Sequence, residues 1–585
     1  MRVLAPQLGF TAGSRKSAIL ADLPEGARPS VTLCSQEGEI RLPVDVTPAE
    51  RVGHWQGNCF ARADFSTIDR PGEYSLEIRW NDRTVKSPAF TIDTEVLLKS
   101  GASDVLAYFR ASRPWGDYER KDAAASFFQH PEWGPLDARG GWLDASGDQG
   151  KYLSHLTYTP TMSPQQTPMC SWALFEARSQ LQQHHPRFSK ILGSTLRDEG
   201  LHGADFLVRM CSPQGSFYTS VFDSFRHELN EREVCAPLPN GKKTDRCLAS
   251  YRGGGGMAIA ALARASQQER HGTFTSTEYL EAATSAFLDL EKNNRSYLFG
   301  INIETGDIIG SSESIVDDYC ALLAATELFA AQHRQKYAEA AIRRFHNLLV
   351  RYHNPSDGSP GWFTAWNDGR PWFSNVESGL PIVALLRFAE VFHNVDVDGL
   401  DLDAQRLAAR VMKDTLRRTA RIANPFGLAR QRVVETGSSA APTAQARDEF
   451  FIPHVNETGF WWQGENANLA SLSVAAARVA SLDIISEKDA ARLGEFSMDQ
   501  LEWIIGRNPF GICMLQGRGQ GSPEYLTEYP NLPGGIVNGV TADPDDPDAV
   551  AFLPAEYSGG PDSWRWAEQW IPHAGWYLLA LSVTP

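Results

Sequence analysis

The stretch Gly140-Gly141-Trp142-Leu143-Asp144-Ala145-Ser146-Gly147-Asp148-Gln149-Gly150-Lys151-Tyr152 places two aspartates four residues apart in a glycine-rich loop. Two close carboxylates repel each other, so the pKa of one tends to rise while the other stays ionised. That division suits acid and base catalysis, and the neighbouring Trp142 suits contact with a sugar ring. Taken alone, the pair also fits two turn-capping aspartates, because Asp and Gly are ordinary turn residues.

The composition is that of a globular chain of 585 residues, long enough for two or more domains. Its net charge of −16 argues against a nucleic-acid partner or an anionic membrane surface. The first ten residues lack an apolar signal-peptide core. The 8 cysteines form neither a CxxC nor a zinc-finger pattern. We therefore predict a cytoplasmic protein with reduced thiols, no cofactor and no metal site, and we leave its oligomeric state open.

Residues 1–93 predict a small immunoglobulin-like β-sandwich. Short alternating or β-branched stretches recur there between Gly, Pro, Asp and Asn residues, at the spacing of sandwich strands. The predicted strands are Lys16–Ile19, Ser30–Cys34, Ile40–Pro43, Cys59–Asp64, Gly72–Arg79 and Ser87–Ile92.

Residues 94–585 predict a mainly helical domain, since apolar residues recur there at i, i+3, i+4 and i+7. Twelve stretches carry this pattern: 95–112, 168–183, 192–211, 253–268, 277–293, 315–332, 335–352, 377–394, 402–420, 464–482, 487–506 and 572–583. They pair into six hairpins. Long loops recur at every other connection, as at 113–167, 212–252, 353–376, 421–463 and 507–571. We expect these loops to meet at one end of a closed helical barrel.

Glu568 is the third candidate catalytic carboxyl. It stands among Trp564, Trp566 and Trp570, just before the last predicted helix. An aromatic shell raises a carboxyl pKa by desolvation, as a general acid requires, although a helix N-terminal glutamate favoured by the macrodipole is the alternative. Together with the aspartate pair, Glu568 fits the two-carboxylate chemistry of glycoside hydrolysis. No G-x-S-x-G, P-loop or H-E-x-x-H motif is present.

These residues resemble those of the family 9 glycoside hydrolases. Gly140–Asp148 is similar to the family's G-G-[WY]-x-D-A-G-D motif, and Gly506-Arg507-Asn508-Pro509 is similar to its G-x-N-P element. Ala63–Ser66 and Pro71–Tyr74 resemble the N-terminal domain that such enzymes often carry. The resemblance implies an (α/α)6 barrel and an inverting reaction.

The resemblance also implies a role for each of the three carboxyls. Asp148 would be the base that activates water, and Asp144 would help position the same water. Glu568 would be the acid that protonates the leaving oxygen.

The chain departs from the family pattern at three places. One residue is inserted between the aspartates, the family's P-H-H-R segment is absent after Asn508-Pro509, and Ala567 stands where the family has Asn. The D-A-S-G-D form, with Lys151–His155 and Pro164–Pro168, resembles the exo-β-D-glucosaminidase branch. That branch releases glucosamine from the non-reducing end of chitosan oligosaccharides.

The substrate contacts are predicted from residue types alone. An amino sugar carries an ammonium at C2, so its pocket needs a carboxylate that a glucose pocket does not. The available carboxylates are Asp144, Asp317, Asp318, Glu377, Glu457 and Glu465. The candidate binding residues are Trp142, Glu457, Trp462, Trp564 and Trp566. A β-glucosidase acting on short cello-oligosaccharides, an endoglucanase and a non-catalytic carbohydrate-binding protein remain as alternatives.

Overall fold

The computed structural model describes residues 1–55, 59–301, 308–309, 312–393, 395, 399–435, 446–459 and 461–584, and only the backbone of 308–309. Nine strands form the N-terminal region: β1 Arg2–Leu4, β2 Phe10–Thr11, β3 Ser17–Leu23, β4 Ser30–Ser35, β5 Arg41–Val46, β6 Cys59–Asp64, β7 Gly72–Trp80, β8 Arg83–Lys86 and β9 Phe90–Asp93. All six predicted strands are confirmed. The prediction missed β1, β2 and β8, which are too short or too polar to show a pattern.

The strands hydrogen-bond in the order β1-β3-β6-β5-β4-β7-β9-β2, with β8 on the outer side of β7. The strands enclose an apolar core of their own, in which Leu20, Leu76 and Ile78 are fully buried. Such burial of alternate positions is what an antiparallel sandwich requires. The N-terminal region is an immunoglobulin-like domain.

Fourteen α-helices follow in the described part of the chain. They are α1 Ser103–Ala111, α2 Asp117–Asp122, α3 Thr167–His184, α4 Pro186–Arg209, α5 Gly256–Ser266, α6 Ser276–Tyr297, α7 Ile315–Gln332, α8 Gln335–Arg351, α9 Leu380–Phe392, α10 Leu400–Thr419, α11 Asn466–Ala480, α12 Glu487–Ile504, α13 Trp564–Ala567 and α14 Ile571–Val583. Every predicted helical stretch overlaps one of them, although Asn394 of the stretch 377–394 lies outside the described residues. Helix α4 begins before the predicted 192, because Pro186 is tolerated in the first turn.

Six of the helices pack in a closed inner ring, in the order α3, α5, α7, α9, α11 and α14, with α14 returning to α3. Helices α4, α6, α8, α10, α12 and α1 each pack on the outside of one of them. The sequence explains this division. Helix α7 is buried at every position from Ile315 to Phe329, whereas α8 buries a single face and exposes the other.

The long connections all lead into the N-terminal ends of the inner helices, so they meet at one end of the ring, as predicted. They contain a five-stranded sheet of β10 Ser126–Phe127, β11 Lys151–Tyr152, β12 Ser220–Phe222, β13 Glu233–Pro237 and β14 Lys243–Thr244. Four strand pairs lie in later loops: Gly300–Ile301 with Ile308–Ile309, Tyr352–His353 with Trp362–Phe363, Gln431–Val433 with Arg447–Glu449, and Thr541–Ala542 with Val550–Ala551. The chain is therefore not simply mainly α.

The β-domain packs directly on the helical domain. Trp55 contacts the rings of Phe426, Phe450 and Trp503. The Arg62 guanidinium donates to the Pro425 carbonyl at 2.7 Å and pairs with Asp499 at 3.3 Å. All 8 cysteines are free thiols. No helix in the described ranges has the length and apolarity needed to cross a membrane.

Candidate active site

The loop that carries Asp144 and Asp148 lies at the N-terminal end of α3, at the end of the helix ring where the long connections meet. A tight turn brings the two aspartates together: Ala145 N donates to the Asp148 carbonyl at 3.1 Å, and Asp144 N donates to the Gly150 carbonyl at 3.0 Å. Gly141 is left-handed, with φ of 67°, and a Cβ there would lie 3.0 Å from the Phe206 ring. The two glycines before Trp142 thus let the loop turn against α4.

Ser146 and Gly147 of the D-A-S-G-D segment join this loop to the segment that carries Glu568. Gly147 N donates to Glu568 Oε1 at 3.0 Å. Ser146 N donates to the Gln569 carbonyl at 3.0 Å, and Gln569 N donates to Ser146 Oγ at 2.9 Å. Two segments more than four hundred residues apart in sequence are thereby held in register. The structure brings all three predicted catalytic carboxyls together.

Asp148 is held by two donors and lies beside a histidine. The Tyr152 hydroxyl donates to Oδ2 at 2.8 Å, and Gly150 N donates to Oδ1 at 2.7 Å. His155 Nδ1 lies 3.8 Å from Oδ2. Burial raises the pKa of Asp148 to about 7, the nearby Asp144 carboxyl adds to that rise, and His155 and the Gly150 N–H oppose it.

Asp144 is more completely enclosed than Asp148. Trp570 Nε1 donates to its Oδ2 at 2.9 Å, and the Gln166 amide donates to Oδ1. Burial raises the pKa of Asp144 to about 8, although both of these hydrogen bonds lower it.

Glu568 follows α13 at the edge of the same cavity. Burial raises its pKa well above the usual 4.5, and the nearby charges of Asp148 and Asp144 raise it further. The Gly147 N–H opposes these effects. A carboxyl that stays protonated near neutral pH can donate a proton, so Glu568 has the property that a general acid needs.

His155 lies between the two aspartates. Its ring packs against Tyr152 at 4.3 Å between centroids and against the edge of Trp461 at 4.5 Å. Burial lowers the pKa of His155 to about 4, so the ring is neutral at pH 7. Asp144, Asp148 and His155 each offer one ligand atom, and these three atoms lie within 4.8 Å of one another. Among the described residues, this group could hold a divalent cation.

The three carboxyls open into a pocket of about 380 Å³, which we call the catalytic pocket. Trp461, Trp564 and Trp570 form its aromatic wall, and Tyr525, Phe225 and His155 also line it. Among the residues that the structure describes, no lysine or arginine lines this pocket.

Only some of the predicted binding residues lie in the catalytic pocket. Trp564 lines it. Trp142 is fully buried against Phe109, and its Nε1 donates to Glu199 at 2.8 Å. Trp566 is equally buried and donates to Thr541 Oγ1. Neither of these two rings has a surface on which a sugar can stack.

Trp462 and Glu457 lie outside the lining of the catalytic pocket. The Trp462 ring stacks on His454 at 3.8 Å and on the Arg565 guanidinium at 4.2 Å. Glu457 Oε1 accepts from the backbone N–H groups of Thr161 and Met162. Glu457 therefore holds a loop in place. The sequence did not name Gln166, Tyr525 and Phe225 as site residues. Gln166 lies in the quoted Pro164–Pro168 segment, whereas Tyr525 and Phe225 come from distant segments without a local motif.

The other carboxylates considered as readers of an amine are all engaged elsewhere. Asp317 pairs with Arg252 at 3.4 Å. Asp318 pairs with Arg344 at 2.9 Å and with Arg351 at 2.6 Å. Tyr319 and Gln165 donate to Glu377, and Ile452 N donates to Glu465. Asp144 is the member of that list that lines the catalytic pocket.

A second group of buried charges holds the ends of the catalytic loop. It consists of Asp122, Lys151 and Arg232, and we call it the anchor cluster. Asp122 pairs with Lys151 Nζ at 2.7 Å and with Arg232 Nε at 2.6 Å. Lys151 Nζ also donates to the Gly140 carbonyl at 2.9 Å, and Arg232 donates to the Gln149 carbonyl. Both ends of the catalytic loop are thus tied to one buried ion triplet.

Comparison with solved structures shows a shared fold. The chain is similar to a metagenome-derived glycoside hydrolase family 9 endoglucanase, with 16% identity, a TM-score of 0.66, and 99% of this chain and 98% of that chain covered. It is also similar to Bacteroides ovatus GH9, with 19% identity, a TM-score of 0.63 and the same coverage. GH family 9 endoglucanase J30 gives 16% identity, a TM-score of 0.64, and 98% and 99% coverage. The comparison with curated proteins gave no match.

Family models match most of the chain. Residues 1–82 match the cellulase N-terminal ig-like domain. Residues 99–530 match glycosyl hydrolase family 9 and include the aspartate pair. The chain therefore belongs to glycosyl hydrolase family 9, and it is a glycoside hydrolase with an immunoglobulin-like domain before its helical catalytic domain.

Proposed function

We propose that this protein is an exo-acting β-D-glucosaminidase that removes glucosamine from the non-reducing end of chitosan oligosaccharides. The observation that carries the proposal is the charge of the catalytic pocket. Asp144, Asp148 and Glu568 line it without any lysine or arginine among the described residues. A cationic sugar lowers the cost of keeping buried carboxylates ionised, whereas a neutral glucose unit does not.

The proposed reaction uses the three carboxyls as the family resemblance implies. Asp148 removes a proton from water while that water attacks the anomeric carbon. Glu568 gives its proton to the departing glycosidic oxygen, so one bond forms, one breaks and the proton count balances. Asp144 positions the water. Inversion of this kind needs the acid and the base roughly 6.5–9.5 Å apart, and we place the site at the open end of an (α/α)6 barrel.

The contacts of each carboxyl support its proposed role. Tyr152 and Gly150 donate to Asp148 and favour its ionised form. Glu568 has a pKa raised well above 4.5 and keeps its proton until the leaving oxygen requires it. The two roles need opposite protonation states at the same pH. Burial raises the pKa of both carboxyls, but at about 7 Asp148 can still lose its proton near neutral pH, and its charge raises the pKa of Glu568 further.

The catalytic pocket also supports exo action. Tyr525, Pro561 and Trp564 come from the long connection before α14 and line the pocket, with the Tyr525 ring against Gly147 of the aspartate loop. This connection is long enough to close the pocket around the non-reducing end of a bound oligosaccharide. We propose that it stops the substrate after one residue.

Cleavage of β-1,4-glucan is the second candidate. Solved structures of similar fold are described as family 9 endoglucanases. At 16% identity this likeness concerns the fold alone. Beyond the three carboxyls that the family resemblance implies, the D-A-S-G-D form and the absence of lysine and arginine from the described pocket lining lead us to prefer the amino sugar.

Product analysis separates the candidates. We expect the protein to shorten glucosamine oligomers by one residue at a time, to release the α-anomer first, and to use the glucosamine dimer at least tenfold better than cellobiose (about 1.4 kcal/mol). Equal or better use of cellobiose would remove the glucosaminidase assignment. Release of mixed internal fragments would favour endo action.

A further inference from the structure

A second pocket, of about 570 Å³, lies behind the wall of the catalytic pocket; we call it the outer pocket. Ala145 lines both pockets, and Ser146 and Gln569 line the outer one. These residues belong to the two paired segments that carry Asp144 and Glu568. The outer pocket therefore shares a wall with the catalytic pocket and opens on its other side.

The lining of the outer pocket includes aromatic rings that the helical core does not use. Trp115 is 77% exposed, although burial of so large an apolar ring is strongly favoured. Tyr118 and Tyr529 also line the pocket, and the Tyr529 ring stacks on His227 at 4.1 Å between centroids. Exposed rings beside a cavity offer stacking surface to a sugar ring, which is apolar on its faces and polar at its edge.

Asp223 lies four residues before His227, which lines the outer pocket and stacks on Tyr529. It is fully buried at the end of β12, and neither carboxylate oxygen has a hydrogen-bond partner among the described residues. A buried carboxylate without a hydrogen bond is costly, so such a group calls for an explanation. Burial raises the pKa values of Tyr118 and Tyr529, and the charge of Asp223 adds to the rise at both, after that of Glu528 at Tyr529.

The backbone after Asp223 adopts conformations that residues other than glycine rarely take. Ser224, Phe225 and His227 adopt left-handed φ angles of 63°, 58° and 57°. Such residues cost free energy and cluster at binding and catalytic sites. Phe225 lines the catalytic pocket and His227 lines the outer pocket, so this strained segment contributes to both.

The charge of Arg232 interacts with Asp223, but Arg232 makes no hydrogen bond to it. Arg232 is committed to Asp122, with which it forms a two-point contact. Within the described ranges no lysine or arginine lines the outer pocket, whereas Asp117 and Glu528 lie on its rim. A ligand that binds here should therefore carry a positive charge.

We propose that the outer pocket is a second carbohydrate-binding site, which takes an amino-sugar unit with its ring on Trp115 and its ammonium in the field of Asp223. The site rests on the proposed function for its ligand, a glucosamine unit of the substrate or product. It is distinct from the catalytic pocket, because the paired Ala145–Ser146 and Gln569 segments separate them. Holding a further sugar beside the active site keeps a released chain close to the enzyme.

Binding of D-glucosamine, D-glucose and N-acetyl-D-glucosamine to the full chain tests the proposal. Calorimetric titration gives the number of sites for each sugar. We expect Trp115→Ala to remove one glucosamine site, because the ring loses its stacking surface. Trp133→Ala is the matched control: Trp133 is 49% exposed but lies outside the outer pocket, so the number of sites should not change.

The charge contribution is tested with Asp223→Asn, which keeps the shape of the side chain. We expect glucosamine to bind the Trp115-dependent site at least about tenfold more weakly, because its ammonium loses the attraction of a nearby carboxylate. Binding of the two uncharged sugars at that site should stay within about twofold. A thermal unfolding curve for each variant verifies that the protein is folded.

Two results would overturn the outer site. One is an unchanged number of glucosamine sites in Trp115→Ala, and the other is an equal loss of all three sugars in Asp223→Asn. Failure of the proposed function is read separately, from hydrolysis of the glucosamine dimer, which Trp115→Ala should leave intact. A protein that cleaves only cellobiose yet loses a glucosamine site in Trp115→Ala would retain the outer site and lose the glucosaminidase assignment.

Discussion

Two groups of buried charges lie on either side of the two-residue strand β11. Lys151 of β11 pairs with Asp122 in the anchor cluster, whereas its neighbour Tyr152 donates to Asp148 in the catalytic pocket. Asp122 and Asp148 are both buried. Lys151 and Arg232 lower the pKa of Asp122 below 3.8 despite burial, whereas burial without a strong cationic partner raises the pKa of Asp148 to about 7.

The difference shows what separates a structural carboxylate from a chemically active one in this molecule. Burial is common to both, so burial alone does not identify a catalytic residue. Asp122 has two cations within salt-bridge distance. Among the described residues, Asp144, Asp148 and Glu568 have no lysine or arginine partner, and their protons are available for chemistry near neutral pH.

The largest effect is expected from Glu568→Gln, which removes the proposed acid but keeps its shape. We expect kcat to fall by about 10²–10⁴-fold with little change in substrate binding, because an amide cannot protonate the leaving oxygen. Initial rates on the glucosamine dimer measure this. Glu465→Gln is the matched control, since burial also raises the pKa of Glu465 to about 8 but Glu465 lies outside the catalytic pocket. Equal loss in both variants would contradict the role of Glu568.

The next effect concerns the free energy of unfolding. We expect it to fall when Asp122 of the anchor cluster is changed and to rise when Asp148 of the catalytic pocket is changed. Asp122→Asn should lower the free energy of unfolding by about 3–5 kcal/mol, because it leaves two buried cations without their partner. Chemical denaturation at pH 8 measures this change.

Asp148→Asn should instead raise the free energy of unfolding at pH 8. The pKa of Asp148 rises from 3.8 to about 7 in the folded state, so above pH 7 its burial as an ion opposes folding. One pKa unit corresponds to about 1.4 kcal/mol, and we expect a gain of at least that size. The gain should disappear below pH 4, where the carboxyl is protonated in both states. A destabilised Asp148→Asn at pH 8 would be the contrary result.

The smallest effect is expected at Gly147, beside the inserted Ser146. In Gly147→Ala the new Cβ would lie 2.5 Å from the Tyr525 ring and 2.6 Å from Glu568 Oε1, so the loop must move and the 3.0 Å hydrogen bond from Gly147 N must weaken. We expect kcat to fall by up to about tenfold, as for loss of one hydrogen bond. Gly494→Ala in α12 is the control, because nothing lies within 4 Å of its Cβ position. Unchanged kcat in Gly147→Ala would show that the Gly147 hydrogen bond does not support the acid.

The sequence predicted the helices, and it named three carboxyls that the structure brings into one pocket, because both leave local signals. Helical periodicity repeats along each segment, and Asp144, Asp148 and Glu568 stand in recognisable motifs. Of the four tryptophans proposed to contact sugar, only Trp564 lines that pocket. Trp142 belongs to a loop by composition, but Gly203 on α4 leaves space for its ring, and a Cβ there would lie 2.6 Å from it. That partner is 61 residues away and has no signal in the local sequence.

The partners of the carboxyls were equally beyond local inference. Asp144 accepts from Gln166 and from Trp570, which is 426 residues distant. Asp122 forms an ion pair with Arg232. Whether a buried aspartate has such an arginine partner depends on which strands pair in the loop sheet. Asp223 stands in no motif, and only the folded structure reveals that it is buried without a partner.

The raised pKa values of the buried catalytic carboxyls follow from burial without a lysine or arginine partner among the described residues. The dependence of kcat/KM on pH tests this most directly, since kcat/KM reports the ionisations of the free enzyme. Asp148 must lose its proton to act as base, and its pKa is raised to about 7, so kcat/KM on the glucosamine dimer should fall tenfold per pH unit below that value. The substrate ammonium stays protonated there and adds no acidic limb. An acidic limb near pH 7 is the result expected. A limb near pH 4, the range of an ordinary aspartate, would contradict the account.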